Sequence, residues 1–193
     1  MIIHPAPARV LPDELHTLRM RLRRPRENDA AALFANWSSD PEVVRFLPWP
    51  RHQAVEHAAA YIASLRSRWD DGTAYAWMLT TPPDDDCVGL GLIRFHEDDA
   101  EIGYSLARSC WGRGYMTEVC RELLRHAFAQ VGVRRAVAIV DTENTASIRV
   151  LQKIGMHCVD TFTGDTVHPN IGDAPRPCFL FAIDRATWAE SAS

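Results

Sequence analysis

Hydrophobic and polar residues alternate with a period of two in several short segments of the chain. From Thr17 to Arg23, three apolar side chains alternate with three arginines, which is the pattern of a strand with one buried face. We expect these arginines on the solvated face of that strand. Three more strand-like runs follow at 74–80, 87–95 and 101–107. Because only short polar connectors separate these three runs, they are predicted to form an antiparallel meander.

Apolar residues spaced by three and four positions predict amphipathic helices in other parts of the chain. The stripes fall at 30–37, 52–70, 116–131 and 147–154. Gly132 and Gly155 follow the last two stripes, and a glycine commonly ends a helix. Further strand-like runs fall at 134–140, 156–164 and 178–185. This order predicts one α/β domain over residues 1–193, a mixed sheet with helices on its faces, preceded by a proline-containing arm at residues 1–16.

Composition excludes several classes of function. A chain of 193 residues, 47% hydrophobic and 24% charged, is typical of a soluble globular domain. Its formal net charge of −4 argues against nucleic acid as the main partner. The five cysteines include no C-x-x-C pair, and no histidines have zinc-site spacing, so we expect a cytoplasmic protein without a metal. The sequence also contains neither a signal peptide nor an apolar run of membrane-spanning length, so no membrane association is expected.

The stretch CWGRGYMTEV, residues 110–119, lies where a predicted strand is followed by a predicted helix. The first N–H groups of a helix lack intrahelical partners and carry the positive end of its dipole, so they bind phosphate. Gly112 and Gly114 lack the Cβ atoms that would keep an anion away, and Arg113 adds a guanidinium. From these residues alone, an ordinary glycine turn is an equally good interpretation. A dinucleotide-binding fingerprint is excluded, because Thr117 stands where its third glycine belongs.

Two longer stretches, AEIGYSLARSCWGRGYMTEV at 100–119 and DTENTASIRVLQKIGM at 141–156, resemble the GNAT superfamily of acyl-CoA-dependent N-acyltransferases. The nearest resemblance is to the RimJ/RimL branch, whose founding activities acetylate the N-termini of ribosomal proteins. It implies the GNAT fold, a mostly antiparallel sheet of about seven strands that is splayed between the fourth and fifth strands and flanked by about four helices. It also implies acetyl-CoA as co-substrate, an amine acceptor and a possible homodimer.

The resemblance also implies which residues bind acyl-CoA. The candidates are Leu106, Ala107, Trp111, Gly112, Arg113, Gly114, Tyr115, Met116, Thr117, Asn144 and Lys153. In the family, the glycine loop binds the pyrophosphate and the pantetheine arm enters the splay, here between 101–107 and 135–140. Backbone groups of Ser105, Leu106 and Ala107 are then expected to pair with the arm and to stabilise the oxyanion. This chain has Ser109 where the family motif has Gln or Arg, and Arg113 offers a compensating charge.

Acyl transfer requires a neutral amine, so a general base is expected. Glu101 is the first candidate, because the family often has a glutamate there and because Glu101 shares a strand face with Gly103, a gap that something could approach. The acidic residues at 97–99 and Glu101 also fit the solvated rim of a hairpin.

Asn144 and Ser147 lie three residues apart and so share one helical face. By spacing alone, Asn144 fits a helix cap and Ser147 a local backbone hydrogen bond. The resemblance implies instead that Asn144 contacts pantetheine and that Ser147 protonates the departing thiolate. Many GNAT enzymes use a tyrosine one turn later for that protonation, where this chain has Leu151.

Trp49 and Tyr104 are the candidates for acceptor binding. Trp49 lies between two prolines in a loop, and this loop and residues 163–177 are expected to form the walls of the acceptor site. The spacing of Trp37 and Trp77 within their predicted helix and strand favours burial of both side chains in the core.

The leading hypothesis is an N-acetyltransferase in which a primary amine, such as a protein N-terminus, attacks acetyl-CoA directly. A non-catalytic acyl-CoA-binding or regulatory module and a small-molecule amine acyltransferase with another acyl donor are the alternatives.

Overall fold

The computed structural model describes residues 9–191, and within them eight strands form one sheet. The strands are β1 (Glu14–His16), β2 (Arg21–Arg23), β3 (Tyr75–Thr80), β4 (Cys87–His96), β5 (Asp99–Leu106), β6 (Arg135–Asp141), β7 (His157–Val167) and β8 (Pro175–Asp184). Their order in the sheet is β1-β2-β3-β4-β5-β6-β8-β7. Neighbours are antiparallel except β5 and β6, which run parallel. The predicted mixed and mostly antiparallel sheet is confirmed, with one strand more than expected.

Helices pack on both faces of this sheet. They are α1 (Asp29–Leu33), which continues into a π-helical turn at Phe34–Ser38, α2 (Pro41–Val44), α3 (Val55–Asp70), α4 (Tyr115–Ala129), α5 (Thr145–Lys153) and α6 (Arg185–Ser191). Residues of α1 and α3 form one apolar cluster with β3 and β4, and residues of α4 and α5 form a second with β5 and β6. In the part of the chain that the structure describes, no helix is long and apolar enough to cross a membrane.

The helical stripes read from the sequence are confirmed within a few residues at each end. Trp37 and Trp77 are fully buried, as their spacing predicted. Gly132 and Gly155 have φ angles of +85° and +87°, the left-handed conformation in which a glycine ends a helix. Element type therefore followed from local periodicity in most of the chain.

The N-terminal segment differs from the prediction. Residues 1–8 of the expected arm lie outside the described residues, and Glu14–His16 forms β1, which pairs with β2. Between them the N–H of Thr17 donates to Met20 O in a tight turn. This turn interrupts the alternation, so that Leu18 is 91% exposed and Arg23 is buried against Asp29. The expectation of one continuous strand with three solvated arginines is therefore wrong.

The parallel strands β5 and β6 pair only at their first residues. The registered pairs are Asp99 with Arg135, Ala100 with Ala136 and Glu101 with Val137. Beyond them β5 continues to Leu106 and β6 to Asp141 without further pairing to one another. We call the opening between 102–106 and 138–141 the strand gap, with its apex at Glu101. The predicted splay is thereby confirmed at the two strands where it was expected.

Candidate active site

A glycine loop at 111–114 directly precedes α4 and is separated from the end of β5 by residues 107–110. Gly112 and Gly114 have φ angles of +74° and +78°, and Gly114 is the residue that precedes the helix. Both adopt left-handed backbone, which glycine reaches without the steric cost of a Cβ. A Cβ at Gly112 would meet no heavy atom within 4 Å, so the space in front of the loop is open.

This loop presents a row of free backbone donors. Within residues 9–191, the N–H groups of 112–116 have no protein acceptor. The N–H of Trp111 donates to Arg108 O, and that of Thr117 donates to Gly114 O, so these two predicted contributors are already bonded inside the protein. Successive free N–H groups at the start of a 15-residue helix form an anion site. The loop therefore fits a diphosphate, with one residue fewer at each end than predicted.

Side chains around the loop divide into exposed and buried groups. Arg113 is exposed beside the free N–H groups, whereas the Met116 side chain is buried in the core, so Met116 offers only its backbone. Arg19, in the turn between β1 and β2, places its guanidinium over the ring of Tyr115 at 4.6 Å and donates to Glu118. Sequence reasoning missed Arg19, because no local pattern connects that turn with the start of α4.

Backbone groups of β5 determine what can pair inside the strand gap. The N–H of Ala107 donates to Val88 O at 2.7 Å and so faces β4. Backbone directions alternate along a strand, so Ser105, opposite Leu90, also faces β4. The expectation that Ser105 and Ala107 present backbone donors to the gap is therefore wrong. By the same alternation, the N–H groups of Tyr104 and Leu106 face the gap.

Trp111 lies at the end of the β5 edge that faces the strand gap. Its indole Nε1 donates to Leu106 O at 2.7 Å, although the residue is 45% exposed. Lys153, another predicted contact of acyl-CoA, is exposed at the end of α5. The residues predicted to bind acyl-CoA thus lie on the glycine loop, at the end of β5 and on α5.

The α5 face of the gap holds two hydroxyl groups. Tyr104 Oη lies 2.8 Å from Ser147 Oγ, and the Ser147 N–H donates to Asn144 Oδ1 at 3.1 Å. Asn144 therefore caps α5, as its spacing alone suggested. Tyr104 packs against the α4 and α5 cluster, on the face opposite Glu101. Tyr104 was predicted to bind the acceptor. This prediction is corrected, because side chains alternate between the two faces along β5, and the Tyr104 side chain lies on the face opposite Glu101. Burial raises the pKa of Tyr104 well above its ordinary value.

The opposite face of the gap carries Glu101 at the apex. One carboxylate oxygen accepts from Arg94 Nη1 at 2.9 Å, and the other lies 3.0 Å from His96 Nε2. Leu92 covers Gly103, where a Cβ would meet Leu92 Cγ at 3.3 Å, so the expected opening at this glycine is filled.

Further along this face, Ile139 is 49% exposed in the middle of β6 and forms an apolar floor. The side-chain hydroxyl of Ser105 is buried here without a hydrogen-bond partner among the described residues. This arrangement offers an apolar surface next to a carboxylate that can accept a proton.

The two predicted walls of the acceptor site are joined by Asn170. Its amide nitrogen donates to Val44 O at 2.7 Å and to Trp49 O at 2.9 Å, and its oxygen accepts from Arg51 N at 2.7 Å. Asn170 belongs to the β7–β8 connection, so this connection and the loop around Trp49 are fastened to one another. Sequence reasoning named both segments but missed the residue that links them.

Trp49 is half-buried in an aromatic cluster. Its ring lies 4.7 Å from His52, 5.1 Å from Tyr61 and 6.1 Å from Trp37, measured between centroids. Burial raises the pKa of Tyr61 to about 12, and burial lowers the pKa of His52 below its ordinary value. The cluster is therefore uncharged near pH 7.

A buried ionic group closes the far end of β6. The Asp141 carboxylate accepts from Arg176 Nε at 2.6 Å and from the Glu143 N–H at 2.8 Å, and His168 Nε2 lies 3.4 Å from Asp141 Oδ2. Burial is the largest effect on Asp141 and opposes its charge, but the hydrogen bonds from Arg176 and from the Glu143 N–H, together with the nearby positive charge, outweigh burial, so the pKa of Asp141 is lowered. Burial lowers the pKa of His168 despite the nearby carboxylate. These residues anchor the β7–β8 connection and were not anticipated.

Comparison with known proteins identifies the family. A model described as acetyltransferase (GNAT) domain matches residues 19–157. The chain is 30% identical over 145 residues to an N-acetyltransferase called p20 from Bacillus licheniformis, covering 74% of this chain and 81% of that protein. The chain belongs to the GNAT acetyltransferases, which catalyse acetyl-CoA-dependent acetylation.

Two further relatives have more specific names. The solved structure of RimJ from Mycobacterium smegmatis, in complex with CoA-disulfide, is 26% identical with a TM-score of 0.80, over 91% of this chain and 88% of that chain. The FsC-acetyl coenzyme A-N(2)-transacetylase of Aspergillus fumigatus is 25% identical over 188 residues, which cover 90% of this chain and 77% of that protein.

Proposed function

We propose that this protein transfers the acetyl group of acetyl-CoA to the primary amine of a protein N-terminus. The observation that carries the proposal is the strand gap, which has free backbone donors at its open end and the Glu101 carboxylate at its apex. One ligand laid along the gap can therefore reach both.

In this proposal the backbone N–H groups of 112–116 bind the diphosphate, and Arg113 adds charge next to it. The N–H groups of Tyr104 and Leu106 bind the pantetheine arm as a neighbouring strand would, since β6 does not use them. Asn144 and Lys153 flank the same ligand from α5. Acetyl-CoA supplies the activated acetyl group, and these residues hold it in the gap.

Glu101 is the proposed general base. Its carboxylate lies on the face that carries Ile139 and is held in place by Arg94 and His96. It accepts a proton from the attacking amine, directly or through a water molecule, as the carbon–nitrogen bond forms. A backbone N–H in the gap donates to the oxyanion of the tetrahedral intermediate.

Support for a peptide acceptor comes from the acceptor face and from the similarity to RimJ. The loop around Trp49 and the β7–β8 connection form two walls that Asn170 holds together. In this proposal a chain terminus lies against these walls and brings its α-amine to Glu101. The similarity to the fungal N(2)-transacetylase makes a small amine the acceptor to test beside peptides.

The proposal is tested with purified protein, acetyl-CoA and two panels of acceptors, peptides with different N-terminal residues and small primary amines. Free CoA is followed with a thiol reagent, and acetylated products are identified by mass spectrometry. We expect acetylation of the α-amine of a subset of peptides. Acetylation of small amines alone would show that the acceptor is a small amine and not a protein N-terminus. Binding of acetyl-CoA without transfer to any acceptor would favour the non-catalytic module.

A further inference from the structure

A hydrogen bond connects β5 to α5 across the strand gap. Tyr104 Oη lies 2.8 Å from Ser147 Oγ and 3.2 Å from Ser147 O. Tyr104 belongs to the part of β5 that does not pair with β6, and Ser147 lies in the first turn of the helix that follows β6. The two hydroxyls therefore close one face of the gap, opposite the face that carries Glu101.

The surroundings of this pair keep the Tyr104 phenol protonated. Burial holds the pKa of Tyr104 well above its ordinary value, and its side chain packs against the apolar cluster of α4 and α5. The phenol therefore stays protonated near neutral pH and has a hydrogen to donate. Of the two acceptors on Ser147, Oγ at 2.8 Å is nearer to the phenol than the carbonyl oxygen at 3.2 Å. When the phenol donates to Oγ, the hydroxyl hydrogen of Ser147 is free for another partner.

The residue one turn further along α5 offers no substitute for the Ser147 hydroxyl. Leu151 is fully buried and has no group that can donate a hydrogen bond. Of these two positions on α5, Ser147 is therefore the one that can donate a hydrogen bond to a sulfur atom, and Tyr104 contacts it from the strand side.

Building on the proposed function, we propose that Tyr104 is a positioning residue for the departure of CoA. By donating to Ser147 Oγ, it directs the Ser147 hydroxyl hydrogen into the gap, where that hydrogen bonds the leaving sulfur. As the tetrahedral intermediate collapses, the carbon–sulfur bond breaks and its electron pair stays on sulfur. The amine proton has gone to Glu101, and the thiolate takes a proton from water after release. Tyr104 and Ser147 keep their own protons throughout.

The pKa of the CoA thiol in the binary complex tests this role, because a merely structural tyrosine would not change it. The thiolate is followed by its ultraviolet absorbance against pH, as the difference between complexes with CoA and with desulfo-CoA. We expect Tyr104→Phe to raise the pKa of the bound thiol by about one unit and to lower kcat about tenfold, because the Ser147 hydroxyl is no longer directed at the sulfur and its hydrogen bond to the thiolate is lost. The Kd of CoA should change less than about threefold, since backbone groups supply most of its contacts.

Ser147 variants and a matched tyrosine variant complete the test. Ser147→Ala should reproduce the effects of Tyr104→Phe, the double variant should be no worse than Ser147→Ala alone, and Ser147→Thr should keep the wild-type pKa of the bound thiol. Tyr75→Phe is the control, because Tyr75 Oη donates to Arg9 O at 2.7 Å, away from the gap. We expect it to change neither the pKa of the bound thiol nor kcat.

Two results would overturn the role of Tyr104 and leave the proposed function standing. One is an unchanged pKa of the bound thiol in Tyr104→Phe or, if that variant does not fold, in Ser147→Ala. The other is a double variant whose losses multiply, since that would make the two hydroxyls independent. A wild-type protein that fails to bind CoA would contradict the proposed function itself.

Discussion

The donor side and the acceptor side of the strand gap are built differently. The donor side consists of β5, the glycine loop and the starts of α4 and α5, and its proposed contacts are mostly backbone groups of residues 104–116. The acceptor side consists of Glu101, the Trp49 loop and the β7–β8 connection, and Asn170 links segments about 120 residues apart in the chain. In the proposed function, donor binding thus depends on local conformation, whereas acceptor binding depends on contacts between distant segments.

The largest effect is expected for Glu101→Gln, on the acceptor side. Loss of the general base should lower kcat/KM for the acceptor about 100-fold, while the Kd of acetyl-CoA stays within about threefold. Steady-state kinetics over a range of pH, with separate binding measurements, check this.

Asp99→Asn is the matched control for Glu101→Gln. Asp99 lies on the same face of β5 and has its own ion pair with Arg135. An equal loss in both variants, or an unchanged pH profile in Glu101→Gln, would remove Glu101 from the mechanism.

Gly112→Val should have the next largest effect, confined to the donor side. A branched side chain at a φ of +74° forces the loop to move and displaces its free N–H groups. We expect the Kd of acetyl-CoA to rise about 30-fold, as measured by calorimetry. Gly132→Val is the control, because Gly132 has a φ of +85° in equally open space at the other end of α4. The same loss of affinity in both variants would assign the effect to general destabilisation.

Asn170→Ala should weaken acceptor binding without changing acetyl-CoA binding. The variant loses three hydrogen bonds that hold the Trp49 loop against the β7–β8 connection. We expect the KM for the acceptor to rise about tenfold, because the walls lose their fixed spacing, with no change in the Kd of acetyl-CoA. Asn36→Ala, which loses a hydrogen bond from its amide to Cys87 O, controls for stability. A rise in the Kd of acetyl-CoA in Asn170→Ala would contradict the independence of the two sides.

The smallest effect concerns the pH dependence of stability. The pKa of His168 is lower in the folded protein than its ordinary value of about 6.5, so protonation favours the unfolded chain. Its contribution to the free energy of unfolding is complete above that pH and is lost as the pH falls toward the lowered value. We expect His168→Asn to lose less stability than the wild type between pH 7.5 and 5.5, in urea titrations. Parallel losses in the two proteins would contradict this.

The two sides also differ in how well the sequence predicts them. The stripe of α4, the left-handed glycines and the residues around the gap follow from periodicity and from a recognisable local motif. The turn at Thr17, the ion pairs of Glu101 and the amide contacts of Asn170 do not, because each depends on segments brought together only by the tertiary fold. Tyr104 shows the limit clearly, since it was predicted to bind the acceptor, whereas its hydroxyl lies next to Ser147 on the face opposite Glu101.

A crystal structure of the protein with bound CoA tests the central claim most directly. We predict diphosphate oxygens within hydrogen-bond distance of the N–H groups of 112–116. The sulfur should lie in the strand gap, with Ser147 on one face and Glu101 on the other. A diphosphate bound away from the glycine loop, with its N–H groups facing solvent and the gap without the pantetheine arm, would contradict the account.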